Sequence, residues 1–403
     1  MHPVENIRGT ASDHLAGRRI VVGVSGSIAA IKVVELCREL IRHGATVHVV
    51  MTEAAQGIVT PAALEFGSGN PVITKLGGQV EHVQLLGDVP EKADLFLVAP
   101  ATANTVSKMA LGIDDSPVTT CATVAIGTKT PIVLAPAMHD AMLQHPVVAE
   151  HAQKLRDMGM TWVEPKHEEK KAKLADIEAI VDACIHRLAM EAAGPYVGKR
   201  VLIVGGATAE PLDPVRVVTN RSSGKSALIL AQELRRAGAD VRLWYGHATE
   251  PVSEPLADHT TRFATHTQLM DMAAAATGFD QVWMPAAIND YAPDASPEKI
   301  GSEQDEITIT MRPLEKVIGR LREALPEAEI IGFKAESDPT RLEAQARDRL
   351  ARYGCTYIVA NTAEAFGADD TTVHLIHHDG SEVLRGSKTD VLRQVVRRVG
   401  GNA

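Results

Sequence analysis

The sequence predicts two doubly wound α/β domains joined end to end. Three observations carry that prediction. Short β-branched runs alternate with helical stretches that stop at glycine, the order of pieces over residues 18–51 returns over 199–245, and 403 residues exceed what one hydrophobic core serves. Residues 192–198 (AAGPYVG) interrupt a helix with Gly and Pro before a new strand, so the boundary falls there.

Residues 18–24 (RRIVVGV) form the first expected strand, because a continuous β-branched run suits a strand buried on both faces. The small-residue turn Ser25-Gly26-Ser27 follows, then a helix over 28–42 stopped at Gly44 and a second strand over 46–51. Further strands are expected at 94–98 and 131–134, with helices over 102–111, 140–158 and 176–188. In the second half, a strand over 199–204, a glycine-rich turn, a helix near 225–236, Gly238 and a strand over 240–245 repeat the opening pattern. Strands then fall at 281–284, 307–310, 329–333 and 357–360, with helices over 267–276 and 341–353. The likeness of RELIRHGATVHVV to QELRRAGADVRLW reflects shared architecture, since every doubly wound unit uses a helix, a glycine stop and a buried strand. The alternation predicts parallel sheets covered on both faces, with ligands beyond the carboxyl ends of the strands.

Composition narrows the function. The 41 basic and 51 acidic side chains leave a net charge of −10, which argues against a general nucleic-acid binder. Before residue 194 there are 17 basic and 22 acidic residues, and after it 24 and 29, so neither half is a basic arm or acidic tail. Any anionic ligand must be held by local donors. No stretch approaches the ~18 uninterrupted apolar residues of a membrane span, and residues 1–19 lack a secretory signal, so a cytoplasmic protein is expected. Cys37, Cys121, Cys184 and Cys355 show neither C-x-x-C pairing nor zinc-type spacing and are expected to be reduced thiols. With six Phe, five Tyr and three Trp, the cores must be filled by aliphatic residues and alanine.

Two familiar motifs are missing. No G-x-G-x-x-G follows either leading strand, and Gly224-Lys225-Ser226 cannot end a P-loop because Thr219 stands where that motif needs glycine. What remains is Gly23-Val-Ser-Gly-Ser-Ile-Ala-Ala, a strand-to-helix turn whose free amides and helix dipole attract a phosphate.

Taken in order, GVSGSIAAIK (23–32), VMTEAA (50–55), His82, APATANT (99–105), GIDDSPVTT (112–120) and APAM (135–138) resemble the flavodoxin-like, FMN-binding cysteine decarboxylases. EPLDPVRVVTNRSSGK (210–225), PAAINDY (285–291), PEKI (297–300), GFKAE (332–336) and VANT (359–362) resemble the phosphopantothenate–cysteine ligases, whose domain is Rossmann-like. Fused in this order, the chain is similar to the bifunctional family of coenzyme A biosynthesis in its archaeal-type form, from about residue 18 to residue 398.

The resemblance implies an FMN-dependent decarboxylase domain over 18–192 and a ligase domain over 198–403. The ligase would activate the carboxylate of 4′-phosphopantothenate with a nucleotide triphosphate, expected to be CTP with Mg²⁺ or Mn²⁺, and cysteine would attack the acyl-nucleotide. The decarboxylase would convert the product, phosphopantothenoylcysteine, to 4′-phosphopantetheine. In the family, FMN takes a hydride from the cysteine side chain, carbon dioxide is lost and the hydride returns. Members form homo-oligomers with trimeric flavin domains and dimeric ligase domains.

Residue by residue, the resemblance makes His82 the active-site base, a role that a group titrating near neutrality suits. Ser25, Gly26 and Ser27 would hold the FMN phosphate, with Thr52 close by, Ser107 beside the ribityl chain or substrate, and Ala137 on the flavin side. Asn104, Met138 and His139 would bind substrate, His139 standing where the commoner pattern has asparagine. Each hydroxyl has a plain alternative as a helix cap. Many bacterial members carry a glycine-rich clamp after this loop, with a cysteine that supplies the last proton. Residues 164–175 (EPKHEEKKAKLA) contain neither glycine nor cysteine, and Cys184 is expected in the core, which leaves that proton donor unassigned. Lys170, Lys171 and Lys173 either form a solvated charge run or close over a phosphate or carboxylate.

In the ligase half, Arg216 and Asn220 match the residues that handle the acyl-nucleotide, through bidentate grip and orientation of the activated carbonyl. Asp290 would face the nucleotide and its divalent cation, and Lys299 the α-phosphate. Ala286, Val317, Ile318 and Phe333 would line the nucleotide pocket. Arg349 and Tyr353 stand where bacterial CTP-dependent members place two lysines, so CTP and ATP both remain open. Two other functions also stand at this point: a ligase with a silent flavin domain, and a non-catalytic nucleotide-sensing protein.

Overall fold

The β-branched run that opens the sequence becomes strand β1 (Arg19–Val24), and every residue after Arg19 in it is buried. The computed structural model describes residues 2–301, 303, 306–336, 338–362 and 370–401. It divides into two units, Met1–Ala192 and Ala193–Ala403.

In the first unit, β1 is followed by β2 (Thr46–Met51), β3 (Val72–Ile73), β4 (Leu95–Ala101), β5 (Ile132–Pro136), β6 (Met138–His139), β7 (Thr161–Trp162), β8 (Lys166–Glu168) and β9 (Lys171–Lys173). Six of them form one sheet in the order β3-β2-β1-β4-β5-β7, parallel throughout, as the alternation predicts. The period-2 pattern splits β1 between two cores: Ile20, Val22 and Val24 pack with Leu36, Leu40 and Ile41 of helix Val33–Arg42, whereas Val21 packs with Phe96 and Val118 on the opposite face. Residues ahead of Arg18 contribute too, since Val4 and Leu15 are buried in the first of these cores.

Two predicted helices change form. The helix expected over 28–42 begins as a 3₁₀ turn, Ile28–Lys32, before Val33–Arg42 becomes α-helical. The helix expected over 140–158 is two pieces, Asp140–Leu143 and Pro146–Asp157, because Pro146 has no amide to continue the first and a fixed φ suited to start the second.

The second unit contains β10 (Arg200–Gly205), β11 (Ala209–Pro211), β12 (Val217–Thr219), β13 (Asp240–Tyr245), β14 (Thr260–Arg262), β15 (Gln281–Met284), β16 (Tyr291–Pro293), β17 (Met311–Pro313), β18 (Glu329–Glu336), β19 (Tyr357–Thr362), β20 (Asp370–His377) and β21 (Gly380–Ser387). Its large sheet runs β14-β13-β10-β15-β18-β19-β20-β21. The expectation of an all-parallel sheet fails at one edge, where β20 and β21 form an antiparallel hairpin on β19. The strand expected at 307–310 is not one. Ile307 and Ile309 are both exposed, and pairing starts at Met311–Pro313, antiparallel to β16.

All four cysteines are buried. Burial pushes the Cys37 and Cys121 thiols up to about 12 and Cys355 up to about 11, and raises Cys184 as well, so none offers a thiolate near neutral pH. Among the described residues no helix is long and apolar enough to cross a membrane.

Candidate active sites

The carboxyl ends of β1, β2, β4 and β5 surround a cavity of about 870 Å³. Strand order reverses between β1 and β4, so the cavity sits at the topological switch point where doubly wound sheets bind ligands. Ser25, Gly26, Ser27, Thr52, Asn104, Ala137, Met138 and His139 all line it, drawn together from four separate loops. Ser107 does not line it, although its helix neighbours Asn104, Thr105 and Lys108 do.

The hydroxyls here are already employed in building the cradle. Ser25 Oγ is buried, donates to the Pro100 carbonyl at 2.6 Å and accepts from the Thr102 amide at 3.1 Å, tying the β1 turn to the end of β4. Ser27 caps the 3₁₀ turn through the Ala29 amide and Thr52 caps the next helix through the Ala55 amide. Capping and lining coexist: the side chains hold the helix starts in place, and Ile28, Ala29, Glu53 and Ala54 at those starts line the cavity. Gly26 is required by close approach, since a Cβ there would stand 2.6 Å from Ala54 Cβ. Gly26→Val should therefore push the two loops apart and lower bound flavin more than tenfold. The ratio of flavin to protein absorbance checks this, and wild-type occupancy would contradict it.

The stretch without glycine or cysteine is ordered as a hairpin. β8 and β9 pair across Glu169 and Lys170, both at positive φ, and β9 pairs with β6 on its other side. Lys171, Ala172, Lys173 and Leu174 thereby line the cavity, so two of the three lysines face it rather than forming only a solvated run.

His82 lies elsewhere. It sits in helix Glu81–Leu86 and does not line the cavity of its own chain. Its Nδ1 is buried without a hydrogen-bond partner among the described residues. The preceding cap, Val80, has φ 47°, a strained value for a β-branched residue. Val80 and Val83 leave apolar surface exposed beside His82, as Ile28, Ile31 and Met142 do at the cavity.

In the second unit, Asp213 organises two loops. Its carboxylate accepts the amides of Val215 (2.8 Å), Arg216 (2.7 Å) and Ile300 (3.2 Å). Burial opposes its ionisation, yet those amides and the Arg216 charge outweigh it and hold the carboxyl below the usual carboxylate range. Arg216 Nη1 also donates to the Ile300 carbonyl at 3.2 Å, so Arg216 and the exposed Lys299 are brought to the same place. Asn220 donates to the Ala287 carbonyl at 3.1 Å, while buried Asn289 bonds Thr208 and Val218 and fixes the loop that carries Asp290.

Asp290, expected as a metal ligand, is ion-paired with Lys316. Among the described residues no group of three or more His, Cys, Asp or Glu is placed to hold a metal. Val317, expected at the nucleotide pocket, packs its side chain into the core. Ala286, Ile318 and Tyr353 pack on that same face of the sheet, whereas Phe333 packs on the other. Arg349 donates to the Phe333 carbonyl within β18 at 3.3 Å, which ties its helix to that strand. Lys316 and Asp213 were not singled out from the sequence. Asp213 lies inside the quoted 210–225 motif and Lys316 beside Val317, but a lysine at a helix start and an aspartate in a turn have common structural uses that hide a binding role.

Residues 8–189 match the family model described as Flavoprotein, and residues 196–401 match the DNA/pantothenate metabolism flavoprotein C-terminal domain. The chain is 42% identical to the coenzyme A biosynthesis bifunctional protein CoaBC of Thermococcus kodakarensis, covering 95% of each chain. The chain belongs to the bifunctional coenzyme A biosynthesis family. The corresponding protein of Methanocaldococcus jannaschii is 36% identical over 99% of this chain and 97% of its own, and that of Escherichia coli is 32% identical over 95% and 96%. The higher identity to the two archaeal members agrees with the archaeal-type reading of the motifs. As a member of the family the protein is an enzyme with two activities, a decarboxylase in its flavoprotein unit and a ligase in its C-terminal unit.

Proposed function

We propose that residues 198–403 join cysteine to 4′-phosphopantothenate using a nucleotide triphosphate, CTP first among candidates, and that residues 18–192 decarboxylate the product with FMN. The observation that carries this reading is the cavity at the switch point, lined by Lys32, Lys108, Lys171 and Lys173 against Glu53 and Asp115, in a half of the chain whose net charge is negative. Cationic walls, capped helix starts and the close approach at Gly26 fit a phosphorylated flavin together with an anionic substrate. When bound, FMN supplies reversible hydride exchange with the cysteine side chain of the substrate.

The residues of the chain divide the remaining work. Ser27, Thr52 and Gly26 shape the amide cradle for the cofactor phosphate. Asn104, Met138 and His139 position the substrate. His82 takes a proton from the substrate, and because it lies outside the cavity of its own chain, we place it in the cavity of a neighbouring copy. The exposed apolar side chains around both His82 and the cavity suit such burial in a homo-oligomer. Trimeric flavin units and dimeric ligase units are the proposed assembly, in the cytoplasm.

In the ligase unit, a carboxylate oxygen of phosphopantothenate attacks the α-phosphorus, pyrophosphate leaves, and the amine of cysteine then displaces the nucleoside monophosphate. Arg216 and Lys299 neutralise phosphate charge, and Asn220 orients the activated carbonyl. With Asp290 paired to Lys316, Mg²⁺ or Mn²⁺ fits best as an ion carried in on the triphosphate, with Asp290 as at most one protein ligand. The test is pyrophosphate release from phosphopantothenate and cysteine with CTP, ATP, GTP or UTP in turn. Release with CTP severalfold faster than with the others is expected, and release with none would overturn the ligase assignment.

A further inference from the structure

Four lysines line the cavity, but they are not equivalent. Lys108 pairs with Asp115 at 2.6 Å, and Lys173 pairs with Glu168 and Glu169 at 3.0 Å each. Lys171 stands in a row that crosses three strands, opposite His139 of β6 and opposite Glu168 of β8. Residues directly opposite in an antiparallel pair share a face with Cβ atoms about 5 Å apart, and His139 and Lys171 both line the cavity. The acids nearest this row are engaged elsewhere, Glu168 by Lys173 and Asp140 by His167 at 3.0 Å. Lys171 is exposed and lies one residue beyond the hairpin turn, at the rim of the cavity.

Resting on the decarboxylase reading above, we propose that Lys171 binds the phosphate of the substrate rather than the carboxylate that departs. The charge changes during the reaction decide between them. The carboxylate gives up its charge to the rest of the molecule as its carbon–carbon bond breaks, so an ammonium paired with it would stabilise the ground state more than the transition state and slow the reaction. The phosphate keeps its charge throughout. An ammonium on it adds the same binding to both states, which lowers KM without touching the chemical step. A compact, strongly hydrated cation at a rim suits a group that stays partly in water, and a hairpin side chain reaches a remote phosphate while His139 stays with the reacting end.

The experiment measures carbon dioxide release by FMN-loaded protein from phosphopantothenoylcysteine and from its dephosphorylated counterpart, for the wild type, Lys171→Ala and Lys171→Arg. Lys171→Ala is expected to raise KM for the phosphorylated substrate about tenfold with kcat within about twofold, and Lys171→Arg to recover most of that loss. The KM penalty should be absent with the dephosphorylated substrate. Calorimetric binding of phosphopantetheine and pantetheine should repeat the pattern without turnover, Lys171→Ala weakening only the phosphorylated product. Equal penalties on both substrates would assign Lys171 to the carboxylate or to the hairpin fold and overturn the proposal. Loss of bound FMN would assign it to the cofactor phosphate and overturn it too, as would no change in KM. A wild type that releases no carbon dioxide would instead remove the decarboxylase reading beneath it.

Discussion

His82→Gln is expected to reduce carbon dioxide release from phosphopantothenoylcysteine by about 10²- to 10⁴-fold, the range lost with a positioned general base. Flavin content should stay within about twofold of wild type, because the residues expected to hold the flavin, Ser25, Gly26, Ser27 and Thr52, are untouched. Pyrophosphate release by the ligase unit should be unchanged. A sharper version mixes two inactive proteins. If each site combines the cavity of one copy with His82 of another, unfolding and co-refolding His82→Gln with Gly26→Val leaves about one site in four with both parts intact. Recovery of activity toward that fraction is expected from the mixture, and none from either variant alone. A loss below tenfold in His82→Gln would remove His82 from the chemistry, and failure of a correctly co-assembled mixture would place cavity and histidine in the same copy.

The second large effect is on the ligase unit. Gly224 has φ 77° and caps helix Lys225–Arg236, and a Cβ at this position would overlap the hydroxyl of Tyr245, which bonds the Glu250 carbonyl at 3.1 Å. Gly224→Val combines left-handed backbone strain with overpacking against a largely buried tyrosine, at a cost on the order of 2–4 kcal/mol. For a unit of this size that corresponds to a fall in Tm of roughly 5–15 °C. The change also moves the start of the helix next to Asn220, so pyrophosphate release should drop more than tenfold at temperatures where the protein stays folded. Differential scanning calorimetry and the pyrophosphate assay check the two parts. An unshifted transition would mean that the loop relaxes away from Tyr245 freely.

Much of this architecture was legible in the residues. Strands such as Thr46–Met51, Asp240–Tyr245 and Gln281–Met284 match their expected bounds because short runs rich in β-branched and aromatic residues, ending in buried apolar positions, follow glycine or charged turns. The β20–β21 hairpin was not foreseen, since its alternating polar residues match an edge that only tertiary pairing defines. The same limit explains residues 307–310: alternation of Ile and Thr gives strand propensity, but the paired ladder with β16 begins only at Met311. The helix expected over 140–158 runs through Pro146, although that residue type itself argues for a new start.

The sites show a parallel contrast. The residues expected to hold the flavin come from the motif order, and all of them but Ser107 line one cavity. The pairing of Asp290 with Lys316 could not be read, because the two are 26 positions apart and nothing in spacing links them. Val317 shows the opposite failure, a residue expected at a nucleotide pocket whose side chain serves the core. The net charge of −10 also acquires a local meaning. A negative chain concentrates lysines at one cavity, where a few placed cations rather than the field of the whole molecule would hold phosphorylated ligands.

The most direct test supplies FMN-loaded protein with phosphopantothenate, carboxyl-labelled cysteine, CTP and Mg²⁺, then follows pyrophosphate, labelled carbon dioxide and product mass together. One pyrophosphate and one carbon dioxide for each phosphopantetheine formed is the expected result. Pyrophosphate without labelled carbon dioxide, with phosphopantothenoylcysteine accumulating, would contradict the account of two working sites in one chain.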